Sequence, residues 1–182
     1  MKHIPLYITA LAAAAIFAAS CSRTPSWKVK GTVQGAENSS MVLEGAGAIG
    51  WYPLDTIMIG SDGAFEFSRE AAGHPDIYRL SLNDKYIYLP IDSIESLTLS
   101  ANASSFDTSY KLSGSTAAEI ITNVDHKLMQ SALTKGTLAT TGDSLLKREL
   151  AQMMLQEPSG IVAYYIINKS IGGIPVFDPE NR

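Results

Sequence analysis

Tyr78-Arg79-Leu80-Ser81-Leu82-Asn83-Asp84-Lys85-Tyr86-Ile87-Tyr88-Leu89-Pro90-Ile91 is the stretch whose reading decides the fold. Side chains alternate across an extended chain, so Tyr78, Leu80 and Leu82 fall on one face and Arg79 and Ser81 on the other. Asn83-Asp84 tolerates a tight turn and sends the chain back through Lys85 to Ile91. Pro90 brings no amide donor, so its strand is expected at a sheet edge, or to end there.

The same period of two spreads outward. Trp27, Val29 and Val33 alternate with Lys28, Lys30 and Thr32, and Phe65 and Phe67 alternate with Ala64, Glu66 and Ser68. Ser61-Asp62-Gly63 just before the phenylalanines offers an Asp-Gly pair suited to positive φ, the strongest single hairpin signal in the chain. Further strands are expected at Met41 to Glu44, Leu54 to Ile59, Ser96 to Ser100 and Tyr110 to Ser113. Near Gly114 the period becomes 3.6. Thr116 and Glu119 form a T-x-x-E capping box ahead of Ile120, Ile121, Val124 and Leu128, which predicts a helix to about Leu133. Thr134 to Thr137 reads as a loop, and Asp143 or Ser144 can cap a second helix carrying Leu146, Leu150, Met153 and Met154. Pro158 suits the first turn of a third helix. That helix, from Ser159 to about Lys169, is apolar on nearly every face and needs a large surface to pack against. The fold class is therefore α+β: an antiparallel β-sandwich or open barrel of about eight strands over 27–114, then a segment of about three helices over 115–182.

The first residues carry an address. Lys2 supplies positive charge, Ile4 to Ala19 is apolar and alanine-rich, and Ala18-Ala19-Ser20 leads into Cys21, the single cysteine of the chain. This is the pattern of a lipoprotein signal peptide over 1–20, cut before a cysteine that is then lipidated. A membrane-spanning helix needs ~20 apolar residues with suitable flanks, and this run is shorter. Acyl chains bury ~0.8 kcal/mol per methylene, so two or three of them on Cys21 hold a protein at a bilayer. Residues 21–26 then form a short polar tether, and the absence of an acidic run there favours an outer-membrane anchor facing the periplasm of a Gram-negative cell. Loss of Lys2 makes the mature chain more acidic than its formal charge of −4. A mildly acidic chain without basic clusters gives no support to nucleic-acid binding. One cysteine forms no internal disulfide, so the domain stands on its hydrophobic core, and its length suffices to bury roughly 70% of the unfolded surface.

Candidate chemistry is sparse. Gly45-Ala46-Gly47-Ala48-Ile49-Gly50 matches G-x-G-x-x-G, but a phosphate loop must open a helix, and Trp51-Tyr52-Pro53 with another strand follows. A flexible hairpin loop is the better reading. Beyond the leader only His74 and His126 remain, without the close ligand pairs that a zinc site uses, so neither metal nor cofactor is expected. Both histidines read as solvated surface groups, His126 on the polar side of the first helix, and no nucleophile-elbow motif supplies a catalytic set. Trp51, Tyr52, Tyr78, Tyr86, Tyr88, Tyr164 and Tyr165 could line a sugar- or peptide-binding face, with Trp51 and Tyr52 the candidate ligand residues, although aromatics on strands more often pack. Thr56, Ser93 and Ser144 each follow an aspartate and precede an apolar residue, a pattern resembling the acceptor of a general O-glycosylation system in some Gram-negative anaerobes, which demands exposed sites.

The order of features resembles a known family. Val29-Lys30-Gly31-Thr32-Val33, Leu54-Asp55-Thr56, Gly63-Ala64-Phe65-Glu66-Phe67, Tyr78-Arg79-Leu80 and Ile91-Asp92-Ser93, behind the cysteine of the leader, resemble the N-terminal domain of unknown function that precedes a thioredoxin-like domain in periplasmic thiol-disulfide oxidoreductases. Pro158-Ser159 before Ala163-Tyr164-Tyr165, and Pro175 to Pro179, resemble the helical part of the same proteins. The resemblance implies redox work in a downstream C-x-x-C domain, where one thiolate attacks and its neighbour resolves. With a single cysteine, no oxidoreductase activity carries over, and the expectation is a shortened or split relative without enzymatic activity of its own. That leads to a lipid-anchored periplasmic accessory module, meeting the membrane through Cys21 and a protein partner or second copy through its helical segment. A cell-envelope receptor for a glycan or peptide is the alternative.

Overall fold

The computed structural model describes residues 24–178. The leader over 1–20 and the first half of the tether, with Cys21, lie outside the described residues, as does Pro179.

Eight strands build two four-stranded sheets. They are β1 (Ser26–Gln34), β2 (Ser40–Gly47), β3 (Gly50–Met58), β4 (Ala64–Glu70), β5 (Asp76–Leu82), β6 (Lys85–Ile91), β7 (Ser96–Asn102) and β8 (Lys111–Ser113). One sheet has the order β4-β1-β7-β8 and the other β3-β2-β5-β6. Both are open, so of the two expected architectures the sandwich holds and the barrel does not. Between the sheets lies a core of Trp27, Val29, Phe67, Met41, Leu43, Leu80, Ile87, Leu89, Leu97 and their neighbours. Each fully buried Leu, Ile or Phe there contributes ~1.5–3 kcal/mol. Tyr78, Leu80 and Leu82 face this core as their spacing requires, whereas Ile77 belongs to a second cluster on the other side of the sheet.

Three local expectations were met and two pairings were not. Asn83 and Asp84 take φ of 50° and 59° and close a two-residue hairpin between β5 and β6, with Leu82 opposite Lys85. β6 is an edge strand, where Pro90 interrupts no interior ladder. Gly47 and Gly50 pair at the end of the β2–β3 hairpin, with Ile49 fully exposed at its tip. The Asp62-Gly63 turn also exists, with Gly63 at φ 78°, but it does not join hydrogen-bonded neighbours. β3 pairs with β2 in one sheet and β4 with β1 in the other, so this turn carries the chain across the sandwich. Nor is the sandwich wholly antiparallel: β7 enters beside β1 in the same direction, because the chain returns to the first sheet after crossing the second. At Gly31 these backbones meet so closely that a Cβ would stand 1.7 Å from the Leu99 carbonyl oxygen.

The helices are α1 (Thr116–Lys135), α2 (Thr137–Gly142), α3 (Ser144–Met154) and α4 (Ile161–Ile167), followed by a ribbon of β9 (Ser170–Ile171) and β10 (Ile174–Pro175). The cap of α1 is Ser115, whose hydroxyl accepts from the Ala118 amide at 3.2 Å, so Thr116 is the first helical residue rather than the cap. α1 runs on through Thr134 and Lys135, which were expected to be loop, α2 starts at Thr137, the last residue of that stretch, and Asp143 caps α3 through the Leu145 and Leu146 amides. Pro158 lies in the turn before α4, which begins after Gly160 at φ 82°. Val162 and Ile166 of α4 are fully buried against α1, α3 and the β3-β2-β5-β6 sheet, while Tyr164 and Ile167 are exposed. That sheet is thus the middle of three layers. Among the described residues no helix is long and apolar enough to cross a membrane.

Candidate functional site

Asp125 is the anomaly of α1. Four residues after Ile121 and three before Leu128, it rides the buried stripe of the helix and is only 9% exposed. A carboxylate in that position must be paired and hydrogen-bonded to persist. Tyr110, just ahead of β8, donates its hydroxyl to Asp125 Oδ2 at 2.9 Å, and Tyr165 of α4 donates to Oδ1 at 2.6 Å. Lys169 Nζ, beyond the end of α4, stands 2.7 Å from the same Oδ1 and also donates to the Tyr165 hydroxyl. Three of about four acceptor positions on the carboxylate are therefore filled. The ammonium also lies 4.6 Å from the ring centres of both Tyr88 and Tyr165, where the ring faces attract a cation. Burial first, and the Asp125 charge second, hold the Tyr110 and Tyr165 hydroxyls well above the ordinary tyrosine range. At neutral pH both are donors, and neither is a base.

A second cation sits farther along the same sheet face. Arg79 pairs with Glu44 across the β2–β5 ladder and lies between the Trp51 and Tyr86 rings, 4.5 and 3.9 Å from their centres. Trp51 meets Tyr88 edge-on at 5.7 Å. The outer face of β5 and β6 is therefore a row of aromatic rings and neutralised cations, roofed at one end by α1 and α4. Two clefts open beside Lys169. One, of about 270 Å³, is lined by Trp51, Asp76, Tyr88, Tyr164 and Asn168 among others. The other, of about 350 Å³, lies against Tyr86, Asp107, Asp125 and Met129.

Of the aromatics expected to line a face, Trp51, Tyr88, Tyr164 and Tyr165 meet at the first cleft, whereas Tyr78 lies in the sandwich core. Trp51 faces the helical side of its sheet, whereas Tyr52 lies on the opposite side, beside Gly45 and Gly47, so the two cannot line one face. Adjacent strand residues point to opposite faces, which is the reason. Thr56 on the edge strand β3, Ser93 in the bend after β6 and Ser144 at the start of α3 are all exposed and sit on separate elements. His74 is exposed, but His126 is not a solvated surface group: its ring stands edge-on to Tyr110 at 5.3 Å, with Nε2 buried. Among the described residues no group of three or more His, Cys, Asp or Glu side chains could hold a metal ion. The cluster of Tyr110, Asp125, Tyr165 and Lys169 was missed. One signal was present, since an aspartate on the same helical stripe as Ile121 and Leu128 announces a buried carboxylate.

Residues 27–120 match the domain of unknown function DUF4369. The chain belongs to this family. The match runs from the second residue of β1 through β8 to the first turn of α1, so Trp51, Arg79 and Tyr88 lie inside it. Asp125, Tyr165 and Lys169 lie beyond it, and the site joins the DUF4369 domain to the helices that follow. None of the curated proteins matches the chain.

Proposed function

We propose that this DUF4369 protein is a lipid-anchored accessory module of the Gram-negative cell envelope, held by an acylated Cys21 at the outer membrane, facing the periplasm and non-catalytic by itself. The observation that carries the role is the state of Asp125. Its oxygens are bonded to Tyr110, Tyr165 and Lys169, so the buried charge ties α1 and α4 together beneath the sheet and is not poised to move a substrate proton. The anchor rests on sequence: a charged start, an apolar alanine-rich run and small residues ahead of the single cysteine. Kinship with the longer redox lipoproteins is part of the same reading, and one thiol cannot run a dithiol cycle. Exposed Tyr164 and Ile167 on α4 support a contact surface for a protein partner or a second copy on the helical side.

Metabolic labelling with a fatty-acid analogue tests the anchor. Wild type should be labelled and Cys21→Ala should not; equal labelling of both would end the proposal. The catalytic side is tested by insulin-disulfide reduction, in which the purified protein should be indistinguishable from buffer.

A further inference from the structure

The smaller cleft beside Lys169 has a chemistry of its own. Its apolar wall is aromatic: Trp51 and Tyr88 at the back, and Tyr164, 62% exposed, at the mouth. Its rim carries unused polar atoms. Asp76 accepts from the Ile77 amide through Oδ1 at 2.8 Å, leaving Oδ2 without a hydrogen-bond partner among the described residues. Asn168 donates through Nδ2 to the Tyr164 carbonyl at 2.8 Å, leaving its Oδ1 likewise free. The Tyr88 hydroxyl and the Trp51 indole N–H have no hydrogen-bond partner among the described residues either. Flat rings set against several donors and acceptors match a ligand with apolar faces and polar edges.

Charge narrows the class. The Lys169 ammonium is matched by Asp125 at 2.7 Å and Arg79 by Glu44, so neither cation is available to hold an anion. Asp76 adds a carboxylate at the rim, which disfavours anionic ligands further. The volume, about 270 Å³, falls just below the ~300 Å³ at which pockets for drug-sized molecules begin. We propose that the cleft between Trp51, Tyr88 and Tyr164 binds a neutral carbohydrate, one sugar ring at a time, stacked on the aromatic wall with its hydroxyls on Asp76 and Asn168. This goes beyond the anchored-module reading, which does not depend on a ligand.

The chain holds two tryptophans, and Trp27 is fully buried in the sandwich core, so a ligand-dependent change in emission reports on Trp51. The full-length protein in detergent is titrated with glucose, galactose and N-acetylglucosamine at millimolar concentrations, and with tri-alanine as the peptide comparison. At least one sugar should give a saturable change. Affinity should fall about tenfold in Tyr164→Ala, the loss expected of one aromatic stacking contact. Asn168→Ala, also at an exposed position, should weaken the same sugar, and Tyr52→Ala on the far side of the sheet should leave it unchanged. The proposal is overturned by no saturable change with any of the three sugars, by equal affinity in Tyr164→Ala and Asn168→Ala, or by saturation with tri-alanine alone. Equilibrium dialysis showing bound sugar while Trp51 emission stays constant would overturn it as well, since the ligand would then sit elsewhere. Failure here leaves the labelling of Cys21 untouched, so the two readings are separable.

Discussion

Asp125 is one residue on which three others depend for their partner. Removing one member of a buried ion pair strands the other charge, which costs ~3–5 kcal/mol, and Lys169 has only 17% of its side chain exposed. Asp125→Asn should therefore lower the unfolding free energy measured by urea titration by an amount in that range, and adding Lys169→Met should recover part of the loss. Recovery is the informative readout, because a purely steric fault at position 125 would not respond to the second change. Tyrosine ionisation supplies a second prediction. Tyr110 and Tyr165 have their pKa raised above 10.0 in the folded state, so the native protein keeps protons that the unfolded chain releases. Their contribution is full below pH ~10 and is lost as pH rises through the folded values. Urea titrations below and above that pH should show stability falling, and Tyr165→Phe should make the fall shallower. The same variant should cost ~1–3 kcal/mol at neutral pH through the hydrogen bond that Asp125 loses.

The β5–β6 hairpin shows how far local chemistry reaches among the elements. Its turn needs two residues at positive φ, and Asn83-Asp84 meets that need at some steric cost, since Cβ crowds the following carbonyl. Asp84→Gly relieves the crowding and should raise stability by ~0.5–1 kcal/mol in thermal or urea unfolding. This hairpin was readable from residues because turn and partner strands are contiguous. Asp62-Gly63 carries the same kind of signal, yet only Gly63 takes positive φ there, and β3 and β4 part into different sheets. Turn chemistry sets the direction of the chain over a few residues. Which strand then becomes the hydrogen-bonded neighbour depends on where Phe65 and Phe67 find apolar cover, and that cover is the far side of the sandwich. At α1 the miss was one residue, because Ser115 and Thr116 are both competent caps and only backbone geometry chooses between them.

At the scale of the whole molecule, the β3-β2-β5-β6 sheet has two buried faces. One closes the sandwich core and the other receives α1 and α4, so Ile77, Trp51 and Tyr88 depend on the helices for cover. A boundary at residue 114 follows the change of hydrophobic period, but it cuts through this second core. A fragment covering 24–114 should bind a hydrophobic dye that the full chain does not, and unfold at lower urea. Equal midpoints and no dye binding would mean that the sandwich is self-sufficient.

What this sequence settled alone is what acts between near neighbours: the strands of period two, the helices of period 3.6, the Asn83-Asp84 turn, and a cap for α3 at either Asp143 or Ser144. Each follows from backbone sterics or a hydrogen bond within a few residues, so the amino acids carry it wherever they are placed. Only the tertiary structure decided the parallel β1–β7 pair, the three layers, and the meeting of Tyr110 and Tyr165 on Asp125 from 15 and 40 residues away. Those distances in sequence carry no local signal. The meeting is set by which apolar faces must be covered at once, and a buried carboxylate then accepts whatever donors that packing brings within reach.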